Sequence, residues 1–345
     1  MRVSDTSTTP RTLLSLPLIA LLAMAWCAPA HAGDTIVVKL ATLAPEGTTW
    51  YKGLRQMGDR WEEISGGKVQ LKIYAGGVAG NEGTMVRKMR IGQLHAGALS
   101  NLGLLDIDPA PQITNTPLLI ENYDELDYVM KHMSPLFEER LAAEGYVVLN
   151  WGDAGWAHFF TKEPMRTPED AANIKVFCWE GDDAAVEGFR QAGFKPVVIQ
   201  STDIMPSLQS GLIDGFPNTP LYALSTQWFA LAPNMLDMGW APLVGATVIS
   251  KDVWESIPAE YHEPFMAAAR EIGEELKGEI RRQDRKAIEV MQKYDLNVVT
   301  IDEATKEAWR RQLETLYPKI RDEMVPPGIF DQAQGLVRDY RAGAR

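Results

Sequence analysis

The first third of the chain alternates between strand-like and helix-like hydrophobic patterns. Residues 36–42 and 69–74 have the short or alternating apolar pattern of strands, and residues 50–63 between them have apolar side chains at helical spacing. A further helix is predicted over residues 81–92 and a short strand over residues 94–100. This β-α-β-α-β order predicts a parallel sheet covered by helices.

The second half of the chain repeats this plan. Residues 173–179 and 195–200 are predicted strands, and residues 182–192 between them are a predicted helix. No linker rich in proline, glycine and serine separates the two halves. We therefore expect two α/β lobes, joined by crossovers near Trp151 and near Trp240 that act as hinges.

A long amphipathic segment follows Pro258 and continues to about Tyr294. As a helix it is about 50 Å long, more than one lobe requires, so we expect it to cross and brace both lobes. A coiled-coil dimer is the alternative interpretation, although Gly273 and Gly278 interrupt a strict heptad.

The first 32 residues have the layout of a cleaved signal peptide. Arg2 and Arg11 provide a basic start, residues 12–30 are mostly apolar, and Ala30-His31-Ala32 forms a small-x-small cleavage site. We therefore expect export to the periplasm. A transmembrane anchor is the alternative interpretation of this segment.

Charge and cysteine content narrow the class of protein. The formal net charge of −12 argues against nucleic acid or anionic lipid as a partner. Cleavage of the signal peptide would remove Cys27 and leave Cys178 alone, so no internal disulfide is expected. Stability must then come from a large core, which ten Tyr, ten Phe and the nine Trp residues after the signal peptide help to build.

Motifs of catalysis are missing from the sequence. There is no phosphate-binding loop of the Gly-x-x-x-x-Gly-Lys-Ser/Thr type, no Gly-x-Ser-x-Gly elbow, and no histidine pair with zinc-site spacing. We predict no catalytic residue, no metal and no cofactor. A nucleophilic pair of Cys178 with a histidine stays open, because such partners meet only in the fold.

Aromatic residues are concentrated near the proposed crossovers and strand ends. In open α/β sheets ligands bind beyond the carboxyl ends of strands, so these rings are candidates for lining a cleft. Phe160 is interpreted as core instead. The candidates are Trp151, Trp156, Phe177, Trp179, Phe216 and Trp240.

Four local motifs, in order, resemble the solute-binding subunits of tripartite ATP-independent periplasmic (TRAP) transporters. They are Leu71 to Tyr74 with the glycine-rich loop after it, Ile91 to His95, Thr116 to Leu119, and Ser207 to Gly215 followed by Asn218. The resemblance covers nearly the whole chain after the signal peptide. It implies a type II periplasmic-binding-protein fold that closes on one small molecule and docks on the membrane subunits of a TRAP permease, with no enzyme activity.

The two crossovers also predict lobe boundaries. The first lobe is expected over residues 33–152 and about 241–282, and the second over about 153–240 and about 283–345. We expect a monomer or a weak dimer.

The resemblance implies binding positions at Thr42, Ser100 and Ser201, with Asn218 as the pocket asparagine. Members of the family usually bind a carboxylate through an arginine on the first strand of the second lobe, where this chain has Phe177. A second arginine of many acid-binding relatives is matched by Ala157. A buried carboxylate needs a charged partner or several donors, so both replacements bear on the ligand.

Our hypothesis is that the ligand is apolar or aromatic, or an amine stacked on tryptophan faces, rather than a simple dicarboxylate. Asp153, Glu180 and Asp182 are the carboxylates expected to neutralise an amine. An organic acid bound by donors other than arginine is an alternative. The other classes left open are a periplasmic hydrolase and a structural protein built around the long helix.

Overall fold

The computed structural model describes residues 35–180 and 182–343, and the predicted signal peptide lies outside these residues. The strands are β1 Ile36–Thr42, β2 Val69–Tyr74, β3 Ala96–Ser100, β4 Tyr146–Trp156, β5 His158–Thr161, β6 Lys175–Trp179, β7 Lys195–Ile199, β8 Gly215–Asn218, β9 Asn234–Leu236, β10 Pro242–Ser250 and β11 Asn297–Val299. The α-helices are α1 Thr49–Ser65, α2 Glu82–Arg90, α3 Asn101–Leu105, α4 Tyr123–Ala143, α5 Asp183–Gln191, α6 Ile204–Ser210, α7 Pro220–Thr226, α8 Lys251–Ser256, α9 Ala259–Gln292, α10 Glu303–Glu314, α11 Tyr317–Lys319 and α12 Ile329–Arg341.

A first sheet has the strand order β2-β1-β3-β10-β4. Strand β1 is parallel to β2 and β3, as the pattern predicts, and β10 is antiparallel to β3 and β4. Helix α1 begins where the Thr48 side chain accepts a hydrogen bond from the Tyr51 N–H, and it ends at Gly66 in the left-handed region. Its buried face includes the predicted apolar positions Leu54, Met57 and Trp61.

A second sheet has the strand order β11-β9-β5-β8-β6-β7. Both of its faces are covered: Phe160, Phe177 and Phe216 lie in one buried cluster, and Val176 and Cys178 lie in another. Strand β6 begins at Lys175, two residues later than predicted. The reason is a 3₁₀ turn, Pro168–Asn173, which starts with a capping box at the residue before it.

The two sheets are joined by two crossovers that contact each other. Ala157 is the single residue between β4 and β5, and residues 237–241 link β9 to β10. The Ala157 N–H donates to the Ala241 carbonyl at 2.9 Å, and the Trp240 N–H donates to the Ala157 carbonyl at 2.8 Å. The predicted crossover near Trp240 is confirmed, and the other lies six residues beyond Trp151, at Ala157.

Helix α9 has 34 residues and packs against both sheets. Phe265, Ala269 and Ile272 belong to the core of the first sheet, and Met291 belongs to the core of the second. Its apolar side is therefore covered within this chain, which favours the brace over the coiled-coil interpretation.

These elements confirm the predicted α/β class with two sheets and a long C-terminal helix. The strands of the first sheet lie within residues 36–156 and 242–250, and those of the second within residues 158–236 and 297–299. The full lobe boundaries stay a prediction. Within the described ranges, the chain has no helix with the length and apolar character needed to cross a membrane.

Candidate functional site

A cavity of about 340 Å³ is lined by residues from both sheets. Its wall includes the last residues of four strands: Thr42 of β1, Ser100 of β3, Trp179 of β6 and Asn218 of β8. The carboxyl ends of strands are where open α/β sheets bind ligands. Small-molecule pockets have volumes of about 300–1,000 Å³, so this cavity fits a small organic molecule.

Seven of the residues predicted to bind a ligand line this one cavity. Their contact with a ligand stays a prediction, but the fold brings them together from distant parts of the sequence. They are Thr42, Ser100, Trp151, Trp179, Ser201, Asn218 and Trp240.

Three predicted site residues do not line the cavity. Phe177 and Phe216 are 0 % exposed, and Trp156 packs edge-on against Tyr123 at a ring separation of 4.7 Å. Phe177 contacts Trp179 at a ring separation of 4.4 Å. The structure places these three rings outside the wall of this cavity, because strand faces that look accessible in the sequence are covered by other elements.

The structure adds aromatic residues that the sequence analysis missed. Trp50 and Tyr222 line the cavity, with their ring centroids 6.1 Å apart, and Trp228 and Phe189 also line it. Trp50 and Tyr222 both lie in the first turn of a helix that follows the carboxyl end of a strand. That placement is a signal by which they could have been found.

Asn218 presents donors to the cavity. Its side-chain oxygen accepts a hydrogen bond from the Thr219 N–H at 2.8 Å, which orients the amide. The amide nitrogen has no hydrogen-bond partner among residues 35–180 and 182–343. Asn218 can therefore donate to an acceptor group of a ligand.

Glu82 lines the cavity, but its carboxylate is bonded to the protein. It accepts from the Ser100 N–H at 2.8 Å, the Ser100 hydroxyl at 2.5 Å and the Gly103 N–H at 3.0 Å. Burial raises the pKa of Glu82, while these hydrogen bonds act in the opposite direction. The carboxylate thus caps the start of α3 and needs no cationic ligand.

Asp153 is also paired within the protein. Arg281 lies on α9, the brace helix that packs against both sheets. It donates to Asp153 Oδ2 from Nε at 3.0 Å and from Nη2 at 2.7 Å, and it donates to Asp127 from Nη2 at 2.7 Å. Asp182 accepts from the Ala185 N–H at 2.9 Å. These contacts weaken the hypothesis that Asp153 and Asp182 neutralise an amine ligand.

Two lysines line the cavity and differ in their partners. Lys277 lies 2.8 Å from Glu274 and 3.8 Å from Asp127. Lys319, at the end of α11, lines the cavity and makes no hydrogen bond or ion pair with any residue of the described ranges. The Glu187 carboxylate, which is paired with Arg190, interacts with it electrostatically. No arginine is among the cavity-lining residues of those ranges.

Thr116 lines the same cavity and carries an unsatisfied hydroxyl. The residue is 2 % exposed, and its Oγ1 has no hydrogen-bond partner within the described residues. Leaving a buried hydroxyl unpaired costs about 1–3 kcal/mol. A polar ligand atom would remove that cost.

The segment around Thr116 is held rigidly against the crossover and the C-terminal elements. Leu118 has a φ of 54°, an uncommon value for a branched side chain, and its N–H donates to the Trp240 carbonyl at 2.9 Å. The Tyr317 hydroxyl donates to the Pro117 carbonyl at 2.8 Å. This bond links the segment of Thr116 to the turn that carries Lys319.

The geometry gives little support to catalysis. Cys178 is fully buried, and burial raises the pKa of its thiol to about 12, so it is not a thiolate near neutral pH. In the part of the chain that the structure describes, no group of three or more histidine, cysteine, aspartate or glutamate side chains is placed to hold a metal.

Comparison with known proteins identifies the family. The family model described as bacterial extracellular solute-binding protein, family 7, matches residues 40–323. The C4-dicarboxylate-binding periplasmic protein DctP of Rhodobacter capsulatus is 23% identical over 319 residues, covering 92% of this chain and 94% of its own. The sialic acid-binding periplasmic protein SiaP of Vibrio cholerae is 20% identical over 317 residues, covering 90% and 95%.

Solved structures share the fold. A TRAP periplasmic solute-binding protein from Ralstonia eutropha, with bound (S)-2-acetolactate, has a TM-score of 0.82 at 21% identity and covers 88% of this chain and 99% of its own. One from Sulfitobacter, with bound galacturonate, has a TM-score of 0.81 at 20% identity, with the same coverage. The chain therefore belongs to family 7 of the bacterial extracellular solute-binding proteins, the periplasmic receptors that bind a small molecule and deliver it to TRAP permease subunits.

Proposed function

We propose that this receptor binds an organic molecule with a largely apolar or aromatic body, rather than a simple dicarboxylate or sugar acid. The observation that carries the proposal is the cavity wall, which has many aromatic rings and, among the described residues, no arginine. The rings are Trp50, Trp151, Trp179, Phe189, Tyr222, Trp228 and Trp240.

Dicarboxylates and aromatic ligands need different partners in the cavity wall. A dicarboxylate carries two charges that must be paired when they leave water, and arginine forks are the usual partners. Aromatic walls stabilise an apolar or aromatic ligand by burying its surface and by edge or face contacts with its rings. The amide of Asn218 then donates to one polar group and orients the ligand.

An organic acid bound without arginine is the second candidate, and two observations favour it. Similar structures are described with bound galacturonate and succinate, which are carboxylates. Lys319 also provides one cavity-lining cation that makes no hydrogen bond or ion pair in the described ranges. An amine ligand is less favoured, because Glu82 and Asp153 are already bonded within the protein.

Binding would close the two lobes about the paired crossovers at Ala157 and Trp240. The contact of Trp50 on α1 with Tyr222 on α7 joins helices that follow strands of different sheets, so it would form as the cavity closes. Ligand energy then favours the closed form that the permease recognises. The ligand is thereby shielded from water before transfer.

A thermal-shift panel tests the ligand class. The protein is unfolded and refolded to remove any bound molecule, then mixed with succinate, malate, galacturonate, phenylacetate, cinnamate, phenylacetamide and phenethylamine. A ligand at about 100 times its Kd stabilises the fold by about 2.7 kcal/mol, which is easily measured. We expect stabilisation by compounds with an aromatic body. Stabilisation by succinate, malate or galacturonate alone would contradict the proposal.

A further inference from the structure

We propose that Lys319 and Thr116 form an oxyanion-binding subsite at the C-terminal wall of the cavity, and that the natural ligand combines an apolar or aromatic body with one anionic group. This inference rests on the proposed function and specifies the ligand further. The C-terminal wall is the part of the cavity lined by Thr116, Pro117, Leu316, Lys319, Ile320, Met324 and Val325.

Most charged groups in the cavity wall are bonded within the protein. Glu82 is bonded to backbone N–H groups and to Ser100, and Asp153 is paired with Arg281. Asp182 caps α5, and Lys277 is paired with Glu274. Lys319 makes no hydrogen bond or ion pair in the described parts of the chain, and Glu187, the carboxylate that interacts with it electrostatically, is already paired with Arg190. An anionic ligand would give Lys319 a direct partner.

The hydroxyl of Thr116 provides a second donor at this wall. Thr116 is 98 % buried and its Oγ1 has no partner among the described residues, although the residue lines the cavity. Rotation about the Cα–Cβ bond exchanges methyl and hydroxyl positions, so the hydroxyl can turn to the cavity. An ammonium and a hydroxyl are both donors, and together they suit an oxyanion.

Contacts of the C-terminal elements bring Thr116 and Lys319 to one wall of the cavity. The Tyr317 hydroxyl donates to the Pro117 carbonyl at 2.8 Å. Pro117 directly follows Thr116, and Tyr317 lies two residues before Lys319. Arg310 bonds to Glu121 at 2.9 Å and Arg341 to Glu125 at 2.8 Å, which fixes α10 and α12 to the start of α4. The segment between those helices is therefore held against the cavity.

The surroundings of the subsite decide the rest of the ligand. A π-helical turn, Ile320–Met324, follows Lys319 directly, and such turns are frequent at functional sites. Other residues of the C-terminal wall are apolar, and Phe189 and Trp240 line the same cavity. A single oxyanion-binding subsite beside a mostly apolar wall fits a ligand with one negative charge and an apolar body. A second negative charge on the ligand would find no unpaired cation in the described part of the wall.

Matched acid and amide ligands test the subsite directly. Titration calorimetry on the refolded protein compares phenylacetate with phenylacetamide, and cinnamate with cinnamamide. The members of each pair have nearly the same shape and differ in charge. We expect the wild type to bind the acid at least about 10-fold more tightly than the amide, as a charge-assisted contact requires.

Substitutions show which residue causes the preference for the acid over the amide. In Lys319→Met the acid and the amide should bind within about 2-fold of each other, with the amide affinity close to that of the wild type, and Lys319→Arg should retain the preference. Thr116→Val should lose part of it and Thr116→Ser should keep it. Lys277→Met is the matched control, because this lysine also lines the cavity but is paired with Glu274.

The outcomes separate this inference from the proposed function. If both members of a pair bind equally well to the wild type, or if Lys319→Met keeps the acid preference, the subsite is wrong and the aromatic receptor stands. If Lys277→Met abolishes the preference as fully as Lys319→Met, the preference comes from the overall positive potential of the cavity and not from contact with Lys319. The subsite is then also wrong. If no pair binds, both the subsite and the proposed function are overturned.

Discussion

The two charged regions of the cavity wall differ in whether their charged and polar groups are paired within the protein. On the side of α2 and the brace helix, Glu82 and Asp153 are bonded to backbone N–H groups, a serine and an arginine. At the C-terminal wall, Lys319 makes no hydrogen bond or ion pair within the described residues, and the hydroxyl of Thr116 has no hydrogen-bond partner there. The first region stabilises the fold, and the second is available to a ligand.

The aromatic residues show the same division. Phe177 and Trp179 lie two positions apart on one strand, and their ring centroids are 4.4 Å apart. Phe177 is 0 % exposed, whereas Trp179, at the end of the strand, lines the cavity. Residues that belong to the fold and residues that face the ligand can therefore be direct neighbours, and substitutions should separate them.

The largest effect is expected for Arg281→Met. The change leaves Asp153, whose side chain is 3 % exposed, without its cation, and breaking a buried pair from one side costs about 3–5 kcal/mol. Urea unfolding should show this loss in the free energy of unfolding. The matched control is Arg270→Met, because its contact with Glu138 at 3.8 Å is largely exposed and should contribute less than about 1 kcal/mol. Equal losses in the two variants would contradict the division.

Phe177→Ala should also act on the fold. Removing a fully buried phenylalanine leaves a cavity and costs about 3–5 kcal/mol of unfolding free energy. At temperatures where the variant stays folded, its Kd for an aromatic ligand should change by only a few-fold. Unchanged stability together with a large loss of affinity would restore Phe177 to the pocket wall.

Asp284→Asn should have an effect that depends on pH. Asp284 is 6 % exposed and accepts from the Leu221 N–H at 2.9 Å. Burial raises its pKa to about 7; the Leu221 hydrogen bond and Arg285 act to lower the pKa, and Asp153 acts to raise it. The native state then keeps a proton that the unfolded state loses above about pH 4, so the wild type loses stability as the pH rises to about 7. Asparagine does not titrate and retains an acceptor oxygen.

We therefore expect Asp284→Asn to exceed the wild type in unfolding free energy by about 2–4 kcal/mol near pH 8, with the difference falling towards zero near pH 4. Chemical unfolding at both pH values measures this. A difference of the same size at both values would show that the carboxyl group does not titrate as described.

Trp179→Ala is expected to act mainly on binding. The ring lines the cavity, so its loss should weaken binding of an aromatic ligand by about 10–100-fold, with a smaller effect on stability than Phe177→Ala. Calorimetry with cinnamate and unfolding in urea give the two readouts. A fall in stability as large as that of Phe177→Ala, with unchanged affinity, would place Trp179 with the core.

The fold could be predicted because its signals are local. The apolar positions of α1, its cap at Thr48 and its end at Gly66 are all readable from neighbouring residues. The brace helix was predicted over residues 258–294 and extends over Ala259–Gln292. The family resemblance pointed to Thr42, Ser100, Ser201 and Asn218, and the position of Trp179 at a strand end pointed to that residue; all five line the cavity.

The remaining site residues depend on contacts between distant segments. The sequence does not reveal that both faces of β6 and β8 are covered, so Phe177 and Phe216 looked accessible. It also does not reveal that α11 returns to the segment of Thr116, because the Tyr317–Pro117 bond joins residues 200 positions apart. The C-terminal wall is therefore visible only in the folded chain.

The identity of the molecule that co-purifies with the receptor tests the central claim most directly. Protein purified under native conditions is denatured, and the released small molecule is identified by mass spectrometry. We predict a compound with an extended apolar or aromatic body and one anionic group. A dicarboxylate or a sugar acid with no such body, released in amounts close to one per chain, would contradict the account.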